Sequence, residues 1–148
     1  MKISTKGRYG TRFMAELALH YGEAPIPLKE IAQSQEISDK YLEQIVPQLS
    51  RAGFINSVRG SQGGYSLAHH PSKITIGEIL RALEGSLAPV ECLDCEDCET
   101  ICDNSSACAT REVWEKIYEA VNNVVDNITL ESLARRSQEL KESYDYVI

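Results

Sequence analysis

Apolar residues recur at three- and four-residue spacing along most of this chain, in runs separated by Gly, Pro and Ser. Phe13, Met14, Leu17, Ala18 and Tyr21 mark a first helix over 5–21, capped by Ser4 or Thr5 and ended by Gly22, Pro25 and Pro27. Leu28, Ile31 and Ala32 mark a short second helix over 28–35. Ser38 suits the N-cap of a third helix, whose inward face is Leu42, Ile45, Val46 and Leu49 and whose stop is Gly53. Pro47 falls inside that helix, which removes a hydrogen bond and predicts a bend. Two extended stretches follow, 54–58 and 65–67, joined by the glycine-rich turn RGSQGG. Ile76, Ile79, Leu80 and Leu83 mark a fourth helix from the Thr75 cap to Glu84. Trp114, Ile117, Val121, Val124 and Ile128 alternate three- and four-residue steps. They form a two-heptad seam on a long helix over 110–127, suited to packing against a second copy of the chain. A last helix over 130–140 precedes a short tail.

Three helices followed by a hairpin is the order of a winged helix-turn-helix, with the turn near Glu36 and Ile37. The expected fold is mainly α with a small β-wing, joined to a long dimerisation helix. The expected segments are a winged helix-turn-helix DNA-binding domain over 1–84, a cysteine-rich sensor loop over 85–109, the dimerisation and C-terminal helices over 110–141, and a tail over 142–148.

Charge sharpens this picture. Residues 1–75 hold nine Lys/Arg against six Asp/Glu, whereas residues 76–148 hold six against sixteen. The first half suits a polyanion and the second repels one. Burying 42, 45, 46 and 49 leaves Lys40, Glu43, Gln44 and Arg51 on the outer face of the third helix. Glu accepts from cytosine N4 and Gln pairs with adenine, so these types suit base edges. Tyr41 is placed to reach a phosphate or a thymine methyl, and Arg59, at the root of the wing, to enter a minor groove. Lys6, Arg8 and Arg12 on the first helix suit the DNA backbone, and Ser38 and Ser61 complete the candidate DNA-binding set.

No apolar run approaches a membrane span and no signal peptide is evident, which reads as a cytoplasmic protein without a membrane partner. No Ser/His/Asp set, phosphate loop or cofactor fingerprint indicates an enzyme. His20, His69 and His70 read as surface or packing residues.

Several stretches resemble the IscR/NsrR/CymR family of bacterial repressors: STKGRYG at 4–10, ISDKYLEQI at 37–45, LSRAGFINSVRGSQGGYSLA at 49–68, ITIGEIL at 74–80, CATREVW at 108–114 and ITLESL at 128–133. The resemblance covers nearly the whole chain. It implies a homodimeric winged-helix repressor on a pseudo-palindromic operator in double-stranded DNA. It also implies base reading from 38–44, a wing arginine at Arg59, and a dimer interface on the long penultimate helix.

All five cysteines lie between Cys92 and Cys108, and six carboxylates lie between Glu91 and Asp103. Cys92, Cys95, Cys98 and Cys102 have the spacing of a bacterial ferredoxin run, with Asp103 in place of the usual proline and Cys108 as a remote ligand. Nearby acids raise thiol pKa values, which argues against a simple thiol switch and for a bound metal that fixes the thiolates. Zinc is the alternative metal, although two separate CxxC pairs are missing. In the family, cluster-bearing members place three cysteines here with five residues between neighbours, the last followed by x-x-His/Arg-x-x-Trp. Cys108, Arg111 and Trp114 match that end and Cys102 matches the middle ligand. The first ligand stays open among Cys92, Cys95 and Cys98. Family members use a histidine or an N-terminal acid as fourth ligand where this chain has Arg111 and Arg8, so a spare cysteine is an alternative.

The expected cofactor is therefore an iron–sulfur cluster, of two-iron or four-iron type, with zinc or no metal as alternatives. The expected function is a repressor sensing cluster, redox or nitric oxide status. The chain also closes on SYDYVI, and members resembling the cysteine-metabolism repressor end similarly and associate with cysteine synthase. Tyr146, Val147 and Ile148 are the candidate contact residues for that enzyme, which captures a C-terminal isoleucine carboxylate. An electron-transfer protein is a minor alternative, weakened by the presence of only one cysteine set.

Overall fold

The computed structural model describes residues 2–94 and 105–147. Helix α1 (Thr5–Leu19) opens on Ser4, whose hydroxyl accepts from the Gly7 N–H at 3.3 Å. Helix α2 (Leu28–Gln35) ends at Glu36, which takes the left-handed conformation (φ 54°) that turns the chain into helix α3 (Asp39–Arg51). The N-cap of α3 is Ser38, as its sequence predicts: its hydroxyl accepts from the Tyr41 N–H at 3.1 Å. Helix α3 continues through Pro47. Pro47 and Glu43, whose carbonyl loses its helical partner, are both exposed, so the gap in the ladder faces water, where solvation limits its cost.

Strands β1 (Ile55–Val58) and β2 (Gly64–Leu67) pair antiparallel, with Ile55 opposite Leu67 and Val58 opposite Gly64. Ile26, in the α1–α2 connection, pairs with the other edge of β2 through two 2.9 Å hydrogen bonds to Tyr65. Gly64 permits this approach, since a Cβ there would strike the Ile26 backbone. The periodicity of the sequence did not announce that third strand, because it is one residue long.

Helix α4 (Ile76–Glu84) carries a complete capping box between Thr75 and Glu78 and packs across α1. Gly10 lets the helices meet, with Leu83 lying where a Cβ would stand. The Glu84 carboxylate accepts from the Ser4 N–H at 2.8 Å, tying the end of α4 to the start of α1. Helix α5 (Ala109–Asp126) follows the cysteine segment, and helix α6 (Leu130–Val147) turns back against α1. Leu130 and Ala134 of α6 join one core with Phe13, Met14, Ile31, Leu42, Ile45, Leu49 and Ile79. That core fixes α1 to α4 and the start of α6, giving the mainly helical winged helix-turn-helix predicted from the sequence.

The chain departs from expectation at its end. The helix expected to stop at Leu140 continues to Val147, so 142–147 are helical. Residues 138–147 contain no Gly or Pro and include Gln138, Glu139, Lys141 and Glu142, all good helix formers. Their apolar periodicity fades because the helix leaves the core, not because it ends: Tyr144 is 70% and Tyr146 93% exposed.

Candidate nucleic-acid interface and cysteine segment

The outer face of α3 follows from its buried one. With Leu42, Ile45, Val46 and Leu49 inside, Lys40, Glu43 and Gln44 stand exposed. Ser38 is exposed, but its hydroxyl caps α3, so its first role is to position the helix. Arg51 folds back along α3 and donates to the Pro47 carbonyl at 3.2 Å. In the wing, Arg59 and Ser61 are exposed in a turn closed by the Gly63 N–H to Gly60 carbonyl bond at 3.0 Å, with Gly60 at φ 114°. A side chain at Gly60 would be strained there.

Residues of α1 that the sequence offered for the DNA backbone divide into two kinds. Lys6 is half-buried and Arg8 exposed. Arg12 is exposed too, and it also reaches the end of α2, donating to the Gln35 side-chain oxygen at 3.2 Å and to the Gln35 carbonyl. Tyr9 lies between these cations, with Arg8 at 5.9 Å and Arg12 at 5.7 Å from its ring centre, and meets Tyr41 edge-on at 5.3 Å. Glu16, a buried carboxylate, accepts from Ser34 at 2.9 Å and Gln35 at 2.6 Å. The contacts of Tyr9, Glu16 and Gln35 are not legible in the sequence. The only local signal was the i, i+4 spacing of Arg12 and Glu16, which suggests a helical ion pair rather than a joint hold on Gln35.

Of the five cysteines, Cys92 lies in a short 3₁₀ turn (Glu91–Leu93) and Cys108 at the N-cap of α5, both half-buried. Cys95, Cys98 and Cys102 lie outside the described residues. Among the described residues no three His, Cys, Asp or Glu side chains converge as a metal-binding group. The sequence suggested that neighbouring acids raise these thiols, yet Cys108 is shifted the other way. The Thr110 hydroxyl at 3.1 Å, then the Arg111 backbone N–H, favour its thiolate over the opposing effect of burial. These donors belong to the first turn of α5, and the Arg111 charge adds a smaller contribution; of the six acids, Glu96, Asp97, Glu99 and Asp103 lie outside the described residues. A lowered thiol at this position suits a metal thiolate ligand and a redox-active cysteine alike. Arg111, at the histidine position of the resemblance, donates to Glu115 at 3.1 Å.

No residue of α5 is buried within the single chain. Trp114, Val124 and Ile128 of the seam are 36%, 59% and 37% exposed, while Ile117 and Val121 are half-buried. At its far end α5 is fixed to α4: Arg81 grips Asp126 at 2.7 and 3.0 Å and Asn122 at 2.7 Å. Backbone bonds from Ile76 to Ile128 and from Leu130 to Ile74, both 2.9 Å, continue this junction. The helical end of α6 exposes Tyr146 and Val147, and Ile148 lies outside the described residues. Among the described residues no helix is long and apolar enough to cross a membrane.

Known proteins place this arrangement. A family model described as "Rrf2: Iron-dependent Transcriptional regulator" matches residues 3–136. The HTH-type transcriptional regulator CymR of Bacillus subtilis is 47% identical over 148 residues, covering all of both chains. The solved structure of that protein, titled the global cysteine regulator of B. subtilis, aligns with a TM-score of 0.77 at 48% identity, covering 92% of this chain and 98% of that one. A solved structure of T. potens IscR aligns with a TM-score of 0.76 at 41% identity, covering 95% and 90%. The winged helix and this end-to-end similarity lead to one conclusion: the chain belongs to the Rrf2 family and is a DNA-binding transcriptional regulator.

Proposed function

We propose that this regulator is a homodimeric repressor whose grip on DNA is set by an iron–sulfur cluster held between α4 and α5. The observation that carries the reading is the crowding of all five cysteines between Cys92 and Cys108, just before α5, with Cys108 at the N-cap of that helix. Cys92, Cys98, Cys102 and Cys108, with Cys95 as a further candidate, are the residues that would hold the group. Bound there, the cluster supplies a thiolate-ligated iron centre that oxidants, nitric oxide or iron shortage remove or alter. The protein does the rest. The partly exposed seam of α5, Trp114 to Val124, continued by Ile128 just beyond the helix, docks on its counterpart, and Arg81 holds the far end of each α5 to α4 and thus to the winged helix. A change at the start of α5 then alters how the two recognition helices are spaced. Lys40, Glu43 and Gln44 read base edges, Arg59 and Ser61 serve the wing, and Lys6 and Arg8 meet the backbone, around Ser38 and Tyr41. A tenfold change in DNA affinity needs only about 1.4 kcal/mol of differential stability between the two spacings.

The test is purification without oxygen, with the visible spectrum and the iron, acid-labile sulfide and zinc content measured on wild type and on Cys92→Ala, Cys102→Ala and Cys108→Ala. Iron and sulfide that fall in the variants, together with altered operator affinity, are the expected result. Zinc without sulfide, or variants that leave metal and affinity unchanged, overturns it.

A second reading is favoured by the full-length similarity to CymR and by the exposed end of α6. In it the chain is a cysteine-metabolism repressor without a cluster, controlled by cysteine synthase gripping Tyr146, Val147 and Ile148. Deleting residues 146–148 abolishes binding to that enzyme if the reading holds; undiminished binding removes it.

A further inference from the structure

We infer that Arg12 is a positioning residue for sequence reading, which clamps the corner between α2 and α3 rather than touching DNA. The inference rests on the chain being a DNA-binding regulator. Its observations are independent of the cysteine segment.

The corner is unusual at one residue. Glu36 holds a left-handed backbone without being glycine, so surrounding contacts must offset its strain. Those contacts meet on Gln35, the residue before it. The Gln35 side-chain amide donates to the buried Glu16 carboxylate at 2.6 Å, and its oxygen accepts from Arg12 at 3.2 Å. A second nitrogen of Arg12 takes the Gln35 carbonyl, one of the last carbonyls of α2, which has no partner within the helix. Arg12 is thus held at two points by one residue, a geometry suited to the planar guanidinium and not to an ammonium. Its remaining face lies 5.7 Å from the Tyr9 ring, whose edge-on contact with Tyr41 reaches the first turn of α3. The contacts form an unbroken path from the core carboxylate Glu16, through Gln35 and Arg12, to Tyr9 and Tyr41, beside the side chains offered to the bases. Displacing this corner shifts Lys40, Glu43 and Gln44 together, which affects base contacts before phosphate contacts, because base contacts demand tighter geometry.

Direct phosphate binding and positioning differ in a measurable way. Losing a phosphate contact weakens all sequences alike and lowers the slope of log affinity against log salt by about one. Losing a positioning residue lowers discrimination and leaves the slope alone.

The full-length protein, purified anaerobically, selects its preferred duplex from a randomised pool. Affinity for that duplex and for a scrambled one is then measured across salt concentrations for wild type, Arg12→Lys, Tyr9→Phe and Tyr9→Leu. The expected result is a roughly tenfold loss of the preferred-to-scrambled ratio in Arg12→Lys and Tyr9→Leu, at unchanged salt slope, with Tyr9→Phe behaving as wild type because the ring is kept. The inference is overturned if Arg12→Lys keeps the wild-type ratio, if both affinities fall together with a shallower slope, or if melting temperature drops while the ratio holds. Should Arg12→Lys fail to fold, the Tyr9 pair decides by the same criteria. A wild-type protein that selects no duplex overturns the DNA-reading function along with the inference, whereas normal selection by Arg12→Lys overturns the inference alone.

Discussion

The substitution Val124→Ala tests whether the seam of α5 serves a second copy of the chain. Val124 is 59% exposed in the single chain, so the fold itself covers about two-fifths of it and a partner helix can cover the rest. Removing two methyl groups costs about 1.6 kcal/mol when their burial is complete, at about 0.8 kcal/mol per group. Scaled to the fraction a partner could cover, that is about 1 kcal/mol per protomer and about 2 kcal/mol for a symmetric pair, or roughly a 30-fold weaker dimer. Val124→Glu goes further, because a carboxylate would be placed in the seam without a partner charge, and it should yield monomer at micromolar concentration. Sedimentation equilibrium over a dilution series gives the dissociation constants, and circular dichroism checks the fold. The monomeric Val124→Glu chain should remain helical, since α5 contributes no buried residue to the core. A Val124→Glu protein that stays dimeric with unchanged affinity refutes the assignment of this face. So does one that unfolds, which would mean the seam packs within its own chain.

Two further outcomes test the way the ends of the molecule are joined. Arg81→Met removes the paired contacts to Asp126 and Asn122; for an exposed pair this costs about 0.2–1 kcal/mol, a drop of about 1–4 °C in melting temperature near neutral pH. The hydrogen bond from Arg81 holds Asp126 below its ordinary carboxylate range, so the contribution is complete above about pH 4 and fades as pH falls through the lower folded value. The gap between the wild type and Arg81→Met melting curves should therefore narrow in strong acid to the smaller contribution of the Asn122 bond; a gap that stays unchanged or widens there counts against the pair. Leu130→Ala opens a void where a fully buried side chain anchors α6 to the core, and urea unfolding should show a loss of about 2–5 kcal/mol. A loss under 1 kcal/mol would mean that α6 docks without that anchor.

Much of this molecule is legible in one dimension because its determinants are local. The inward face of α3 is written in the spacing of Leu42, Ile45, Val46 and Leu49, and Ser38 announces its own helix through a bond to an amide three residues away. The capping box at Thr75 and Glu78 is local in the same sense. The end of α6 was not legible. Apolar periodicity reports contact with a core, and the backbone stays helical for seven residues after Leu140, where contact is lost. The direction of the shift at Cys108 is not legible in the sequence for a related reason. The carboxylate count reports the sequence neighbourhood, whereas the donors at the start of α5, which lower Cys108, follow from the helix that forms there.

The sequence alone determined the winged helix-turn-helix, the exposed residues of its recognition helix, the apolar seam of α5 and the crowding of thiols between α4 and α5. Each depends on side-chain type and on spacings within a few residues, which helix geometry converts directly into shared faces. Tertiary structure decided what joins those parts. Arg81 meets Asp126 across 45 positions, and Glu84 meets Ser4 across 80. Arg12, which the sequence offers to the DNA backbone, meets Gln35, 23 residues away. Such pairings carry no periodic signal, because they depend on how the packed core orients whole helices, and a polar side chain takes whichever partner that packing brings within hydrogen-bond reach.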